Sequence, residues 1–474
     1  MSNLLATLTT AGNALGVYEQ ALNVVQNNIT NSSTPGYAKQ SLNLEALPFD
    51  ITSGLTGGVA ARGLDSARSE YAEEEVRRQN QSLGFFEAQA QGASSIENQF
   101  DVSGTSGVPG ALNQLFQSFS AWSVSPGDAS ARQSVIASAG NLAAQIHSTA
   151  QALARTSQNE QDQIGSTVDQ VNQLASTIQQ YNVLRLRQSG PDPNQDANVH
   201  AALEQLSELA DVTALTQADG TVTVVLSGGA PLVVGTNQFL ISTDLNVPSG
   251  AQNSQAPPTS RILDWQGTDI SSQVTGGKLG GLLDVHNRML PSILGDGQQT
   301  GSLNQFAKSF ADAVNQILQA GFVGPQAGAA AGVPLFVYDA SDPTKASGSF
   351  AVNSNITADT LAPVDASGNA NGNALQLASL ASSSSAGGIN GSTFGAFFSG
   401  ITTSAGQESA TAQQNQQTQQ QVVAQTRSLR DQISGVSLDE QAVMLMQFQR
   451  SYQAAARVLT TINSILDDTV NLIR

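Results

Sequence analysis

The two ends of the chain carry the same apolar repeat, and this repeat limits the possible folds more than any other feature. From the start, every 3.5 residues, the repeat runs through Met1, Leu4, Leu8, Ala11, Leu15, Tyr18, Leu22, Val25 and Ile29. Near the other end it runs through Leu445, Phe448, Tyr452, Ala455, Leu459, Ile462, Leu466, Thr469 and Ile473, of which all but Thr469 are apolar. A sustained repeat of this period is typical of a coiled coil. We therefore predict two terminal helices that are partners; the alternative is two ordinary core helices of one domain.

These terminal seams have almost no charged neighbours, since Glu19 is the only charged residue among the first thirty. On an isolated monomer, the exposed seams would form a larger apolar patch than soluble monomers usually carry. We therefore expect the seams to be an assembly interface. The residues expected to form it are Leu8, Leu15, Leu22, Ile29, Leu445, Phe448, Tyr452, Leu459 and Ile462.

The N-terminal helix is predicted to stop in the stretch NNITNSSTPGYAKQ, residues 27–40. Pro35 disfavours a helical conformation at the residue before it. The order Thr-Pro-Gly-Tyr places Pro35 and Gly36 at the two central positions of a type II turn. We interpret Thr34, Pro35, Gly36 and Tyr37 as a hinge turn that follows the terminal helix.

The middle of the chain changes from a helical period to a strand period and back. Helical patterns are expected over 66–100, around 112–122, and from Pro126, as the first helical residue, to about Arg187; this last helix would be a rod of about 90 Å. The stretch after Arg187, including Asp192, Asn194 and Asp196, is predicted to be a turn that ends the rod. It imitates half of a calcium loop but has Ala197 where the loop needs glycine.

Strands are predicted over 211–245, with hairpin turns at Asp219-Gly220 and Gly228-Gly229. The predicted fold is α+β and multidomain, with paired N- and C-terminal coiled-coil helices, a long-helix bundle domain and a small β-rich inserted domain. The predicted domains are 1–60 with 436–474 (terminal coiled coil), 61–210 with 276–435 (helical-rod middle domain with some strands), and 211–275 (β-rich outer domain).

Composition excludes several functions. The net charge of −18 leaves no basic stripe for nucleic acid, and no apolar run is long enough for membrane insertion. The first residues lack the basic region and continuous apolar core of a cleaved signal peptide. There is no cysteine, and the three histidines share no ligand spacing. We therefore predict no catalytic, cofactor-binding or metal-binding residues, and no enzyme activity.

Three stretches resemble a known family. ALNVVQNNITNSSTPGYAKQ closely resembles the N-terminal signature of the bacterial flagellar axial proteins, which are the rod, hook and hook-associated proteins. SGVSLDEQAVMLMQFQRSYQAAARVLTTINSILDDTVNL resembles their C-terminal signature. In the middle, SVSPGDASARQSVIASAGNLAAQIHSTAQAL and GGKLGGLLDVHNRMLPSIL are most similar to the hook-associated members at the hook–filament junction. The resemblance covers most of the chain and is weakest over 320–400.

The resemblance implies that the terminal helices pair and form the inner tube of the flagellum, while the middle of the chain forms outer domains. It implies a non-catalytic adaptor that assembles with itself as a homo-oligomeric ring. The other implied partners are the hook protein, the next hook-associated protein or the filament, and a cytoplasmic export chaperone bound near the C-terminus. It also implies export by the flagellar type III apparatus to an extracellular position, without a cleaved signal peptide.

Two alternatives remain open from the sequence. One is another axial component, such as the hook protein or hook-associated protein 3. The other is a secreted enzyme or adhesin built on an axial scaffold. In the second alternative the β-rich region would carry the activity, and residues 211–275 show no catalytic constellation.

Overall fold

The computed structural model describes residues 2–50, 55–100, 106–188, 190, 192–250, 252–384 and 388–472. The helices are α1 (Ser2–Thr30), α2 (Glu70–Glu97), α3 (Gly107–Val124), α4 (Ala129–Arg187), α5 (Pro193–Leu209), α6 (Gly277–Asp284), α7 (Leu290–Leu294), α8 (Ser302–Ala320), α9 (Gly372–Ser379), α10 (Phe394–Ser434) and α11 (Leu438–Leu472). The strands are β1 (Gln40–Ala46), β2 (Phe49–Asp50), β3 (Leu55–Thr56), β4 (Val59–Ser66), β5 (Val212–Thr216), β6 (Val222–Leu226), β7 (Pro231–Val234), β8 (Asn237–Gln238), β9 (Ser242–Asn246), β10 (Thr259–Leu263), β11 (Phe336–Val337) and β12 (Ala351–Val352). This content confirms the α+β class.

The two terminal helices pack against each other, as the seams predicted. The side chain of Asn28, near the end of α1, donates to Oε1 of Gln441, near the start of α11, at 2.9 Å. Both helices extend away from this point, so they form an antiparallel pair. A hairpin made of β1 and β4 lies beside α1, with Gln40 near Asn28 and Gly58 near Thr10.

The long helix α4 is confirmed and runs unbroken for 59 residues, which is about 90 Å at 1.5 Å per residue. Its first half packs into a core with α3, α8 and the first half of α10. That core is rich in aromatic rings; Phe306, for example, contacts Phe310, Phe394 and Phe398 with ring centroids 5.3–6.2 Å apart. The aromatic packing joins α8 to the first part of α10.

The second half of α4 packs into another core, with α5, α6 and the strands β5, β6, β7 and β10. Strands β5, β6, β7 and β8 form one antiparallel sheet in that order. Asn182 of α4, which is fully buried, donates to the carbonyl oxygens of Val222 and Gly235 at 2.8 and 2.7 Å and accepts from the Val222 amide. These hydrogen bonds fix the sheet to α4. The domain boundaries given above stay predictions.

Both predicted hairpin turns are present. Asp219-Gly220 joins β5 to β6, and Gly228-Gly229 joins β6 to β7. Gly220 and Gly229 have φ angles of +82° and +88°, a conformation that glycine adopts without the strain a side chain brings. The turn chemistry in the sequence therefore located these connections correctly.

One local prediction was wrong and another was incomplete. Helix α4 begins at Ala129 rather than at Pro126, because the carboxylate of Asp128 caps it by accepting from the Ser130 amide at 2.8 Å. The stretch after Arg187 does not only end a helix. Asp192 accepts from the Asn194 amide at 2.9 Å and so starts α5, with Pro193 in the first turn. Asp192 is thus a helix cap, and Asp196 pairs with Arg68 at 2.8 Å, so each carboxylate of the pattern that imitates a calcium loop has a structural role.

Candidate assembly interface

The predicted assembly residues lie in the terminal pair, but they are already partly covered by the chain itself. Ile462 is buried, Tyr452 is 38% exposed, and the remaining seven are half-buried. Those seven are Leu8, Leu15, Leu22, Ile29, Leu445, Phe448 and Leu459. Met1 and Ile473, the outermost seam positions, lie outside the described residues. The seam thus contributes to pairing within one chain, and its role between chains stays a prediction.

The most buried side chains of α1 are small. Ala11, Val17, Ala21 and Val25 are each 8% exposed or less. Helix α1 contacts β1 and β4 as well as α11, so its buried face is wider than a two-helix seam. Ala21 and Phe448 lie at the same level along the pair, since each is seven residues from the Asn28–Gln441 hydrogen bond. A small residue of α1 thus lies at the same height along the pair as a large residue of α11.

Helix α11 has a second apolar face that the seam prediction missed. Val443, Val458 and Ile465 are 60%, 48% and 44% exposed, and Ala454 is also exposed. At about 100° per residue, these four positions form one stripe roughly 100° around the helix from the seam. We call them the outer stripe. The signal was present in the sequence, because these apolar residues do not fit the heptad positions of the seam.

Where the terminal pair joins the rest of the chain, a buried polar group replaces apolar packing. Asn28 is 1% exposed, and its amide nitrogen donates to Gln40 O at 2.8 Å and to Gln441 Oε1 at 2.9 Å. Its Oδ1 accepts from the Gln40 amide and from the Tyr37 hydroxyl, both at 2.9 Å. The amide therefore has all four of its hydrogen bonds. Sequence reasoning did not select Asn28.

The predicted turn at residues 34–37 has the geometry that its sequence favours. The Tyr37 amide donates to Thr34 O at 3.1 Å, and Gly36 has φ +74°, as expected for a type II turn. The turn lies against α5: a Cβ on Gly36 would overlap the backbone carbonyl oxygen of Ala197. Whether the turn acts as a hinge stays a prediction.

Arg68 holds the turn against two helices through an almost fully buried guanidinium. Its Nη2 donates to Gly36 O at 2.6 Å and to Asp196 Oδ2 of α5 at 2.8 Å, and its Nη1 donates to Glu73 of α2 at 2.7 Å. Its side chain is only 5% exposed. Burial raises the pKa of Glu73 above its ordinary value, although neighbouring arginines act in the opposite direction.

A second arginine extends this ion cluster to the end of α10. Arg430 Nη1 lies 2.8 Å from Glu204 of α5 and 3.7 Å from Glu73. Beside the cluster is a polar cavity of about 520 Å³, lined by residues of the turn, the end of α10 and the start of α11. We call the region formed by Asn28, the turn at residues 34–37 and the ion cluster of Arg68 and Arg430 the joint. Its close contacts involve α1, α2, α5, α10 and α11. Sequence reasoning missed the cluster because its members are far apart in the chain.

Comparison with known proteins identifies the class of protein. The family model described as the flagellar basal body rod FlgEFG protein C-terminal region matches residues 428–472, which include all of α11. Paired terminal helices with a matching C-terminal segment define a structural, axial component of the bacterial flagellum. Among the described residues, no helix has both the length and the hydrophobicity to cross a membrane.

A second match gives the family. The model described as the flagellar hook-associated protein FlgK helical domain matches residues 93–336, which is more than half of the chain. The chain belongs to the FlgK family of flagellar hook-associated proteins. Its relatives in this family are structural proteins and not enzymes.

Two relatives support this family membership over nearly the full length of the chain. The chain is 26% identical to flagellar hook-associated protein 1 of Bacillus subtilis, over 99% of both chains. It is also 26% identical to flagellar hook-associated protein 1 of Escherichia coli, over 98% of this chain and 99% of that one. The structure of the flagellar hook junction protein FlgK from Burkholderia pseudomallei has a similar fold, with a TM-score of 0.65, 17% identity, and coverage of 76% of this chain and 100% of that chain.

Proposed function

We propose that this protein is the adaptor at the hook–filament junction and that it assembles with its own copies through the terminal helices. Full-length similarity to two proteins named flagellar hook-associated protein 1 supports the position in the flagellum. The fold likeness to a protein described as a flagellar hook junction protein agrees with it. The expected neighbours are the hook protein on one side and the next hook-associated protein or the filament on the other.

The outer stripe of α11 carries the self-assembly part of this proposal. Its three large side chains are 44–60% exposed although they are apolar. Complete burial of such a side chain stabilises by roughly 1.5–3 kcal/mol, so covering the exposed half of each contributes about 1 kcal/mol. A head-to-tail contact repeated around a ring builds a tube, whereas a two-fold contact would cover the stripe without building one.

We further propose that the turn at residues 34–37 is the connection where the tube-forming helices meet the outer domains. Its position supports this, because it follows α1 directly and contacts α5 of the middle region. Export is proposed to proceed through the flagellar type III apparatus without a cleaved signal peptide, to an extracellular location. A cytoplasmic chaperone would cover the C-terminal apolar faces before export, which the exposure of the outer stripe makes physically reasonable.

The assembly proposal is tested by charge substitutions in living cells. Val458→Asp in the outer stripe should prevent incorporation, because an unpaired carboxylate would be buried between subunits. Leu22→Asp and Leu459→Asp in the seam should also prevent it. Gln453→Asp is the matched control, because this residue is exposed on the same helix and lies outside the stripe. Secretion and flagellar incorporation are measured separately by immunoblotting.

The proposed position of the protein at the hook–filament junction is tested with gold-labelled antibody on isolated flagella. A single narrow band at the hook–filament boundary is expected. Label along the whole hook or the filament would contradict the junction proposal and favour another axial component. Normal incorporation of Val458→Asp would contradict the role of the outer stripe while leaving the position intact.

A further inference from the structure

The pairing of α1 with α11 has a problem that apolar contacts alone do not solve. Both seams repeat every seven residues, so sliding one helix along the other by a heptad places apolar residues beside apolar residues again. A slipped pair loses one heptad of overlap and the match of Ala21 with Phe448, but it still places apolar residues beside apolar residues along the rest of the seam. Residues 31–33 lie between α1 and the turn at residues 34–37, which Arg68 holds in place, so a slip would be taken up by this short segment and the last turn of α1. Something else must define which pairing is formed.

We propose that Asn28 fixes the register of the terminal pair and is therefore a specificity-determining residue of this protein. Asn28 and Gln441 are both 1% exposed, and their mutual hydrogen bond of 2.9 Å joins α1 to α11. The remaining three hydrogen bonds of Asn28 tie the same point to Gln40 and Tyr37. A slip of one heptad moves Asn28 by about 10 Å and leaves buried polar groups without partners.

Buried polar pairs are suited to this task because their energy depends strongly on position. A buried amide without its partner is strongly unfavourable, whereas an apolar side chain is tolerant of small displacements. The nearby ion pair between Lys39 and Glu440, at 3.1 Å, is partly exposed, with side chains 25% and 44% accessible. Exposed ion pairs of this kind discriminate little. The discrimination therefore rests on Asn28.

The register can be measured directly, because the chain contains no cysteine. Ala14 and Ala455 lie at the same level, each 14 residues from the Asn28–Gln441 hydrogen bond. A14C/A455C therefore reports the native register by disulfide formation. T7C/A455C and A21C/A455C report slips of one heptad in either direction. The Cα atoms of a disulfide are about 4–7 Å apart, so a heptad shift of about 10 Å is resolved.

The test compares N28L with N23L in the purified full chain, under mild oxidation, by mass spectrometry. Asn23 is exposed on the same helix, so N23L should form the A14C/A455C disulfide almost exclusively, as the unsubstituted chain does. In N28L the ratio of native to slipped disulfides should fall by roughly tenfold or more, the change expected from losing buried hydrogen bonds. An unchanged ratio in N28L would overturn the proposal.

A second variant covers the case in which N28L does not fold. Q441L removes the partner on α11 and leaves the bonds between Asn28 and Gln40 in place. It should also lower the ratio of native to slipped disulfides, and an unchanged ratio in folded Q441L would overturn the proposal as well. The readout needs no assembly, so this outcome is independent of whether the protein forms the proposed junction.

Discussion

The buried carboxylate of Glu160 gives a sharp prediction about stability. Glu160 lies on α4 between the stretches that enter the two cores, and it is 3% exposed. Within the described residues, its Oε2 has no hydrogen-bond partner. Burial raises its pKa from 4.5 to about 7, while the charge of Lys278 acts in the opposite direction. We expect Glu160→Gln to stabilise the fold above neutral pH.

The expected size follows from the pKa difference. A shift from 4.5 to about 7 corresponds to about 3 kcal/mol, because each pKa unit is about 1.4 kcal/mol. Below pH 4.5 both the folded and the unfolded chain hold the proton, and no penalty arises. As the pH rises from 4.5 to 7, only the unfolded chain releases its proton, so the free energy of unfolding falls. Above pH 7 the whole penalty is present.

The difference between variant and unsubstituted chain isolates this effect from other titrating groups. His286 is one of them: burial lowers its pKa, so its contribution has the opposite sign and is lost as the pH falls. Urea unfolding followed by circular dichroism gives the free energy of unfolding at each pH. The gain from Glu160→Gln should be small at about pH 5 and approach about 3 kcal/mol at about pH 8.

The control for this experiment is Asp169→Asn, which removes an exposed carboxylate from the same helix. It should change the free energy of unfolding by less than about 0.5 kcal/mol at either pH. An amide at position 160 also adds a constant term, because it is buried as well. The reasoning is refuted if the gain from Glu160→Gln is the same at both pH values.

Three further predictions concern the joint and the sheet. Burial lowers the pKa of His200 from 6.5 to about 2, so the folded state keeps the neutral imidazole. The free energy of unfolding therefore falls as the pH drops below 6.5, where only the unfolded chain takes up the proton. His200→Gln should weaken this acid dependence, as measured by unfolding followed by circular dichroism. Gly36→Ala should lower the melting temperature, because Gly36 has φ +74° and no room for a Cβ. Its control is Gly12→Ala, because a Cβ at Gly12, within helix α1, would have no atom within 4 Å. This substitution should raise the free energy of unfolding by up to about 1 kcal/mol. Asn182→Leu should make the sheet more sensitive to limited proteolysis, because three hydrogen bonds to it are lost.

Features that depend on a local period were predictable from the sequence. The terminal pair followed from a heptad repeat, and α4 from a long stretch with helical spacing and no proline. The turn at Pro35-Gly36 and the hairpin at Asp219-Gly220 followed from residues that favour those backbone angles. In each case the predictive pattern lies within one continuous stretch of sequence, and the pairing of the two terminal helices was inferred because both carry the same repeat.

Features that depend on distant contacts were not predictable in this way. Arg68 meets Asp196 across 128 positions of the chain, and Asn28 meets Gln441 across 413. Strands β1 and β4 were also missed: β1 alternates Leu42 and Leu44 with polar residues over only a few positions, and β4 shows no such alternation. The sequence predicts that α4 starts at Pro126, and only the geometry of the Asp128 cap shows that the helix begins at Ala129.

The joint and the outer stripe use different chemistry, and this difference has a functional consequence. At the joint, the amide of Asn28 and the guanidinium of Arg68 are nearly excluded from solvent and bonded in several directions, so small displacements are strongly unfavourable. In the outer stripe, exposed apolar side chains such as Val458 and Ile465 tolerate displacement. Polar groups would then set the geometry of one subunit, while apolar groups set how strongly subunits adhere. Substitutions at the joint should change the shape of the assembly, and substitutions in the stripe should change only its yield.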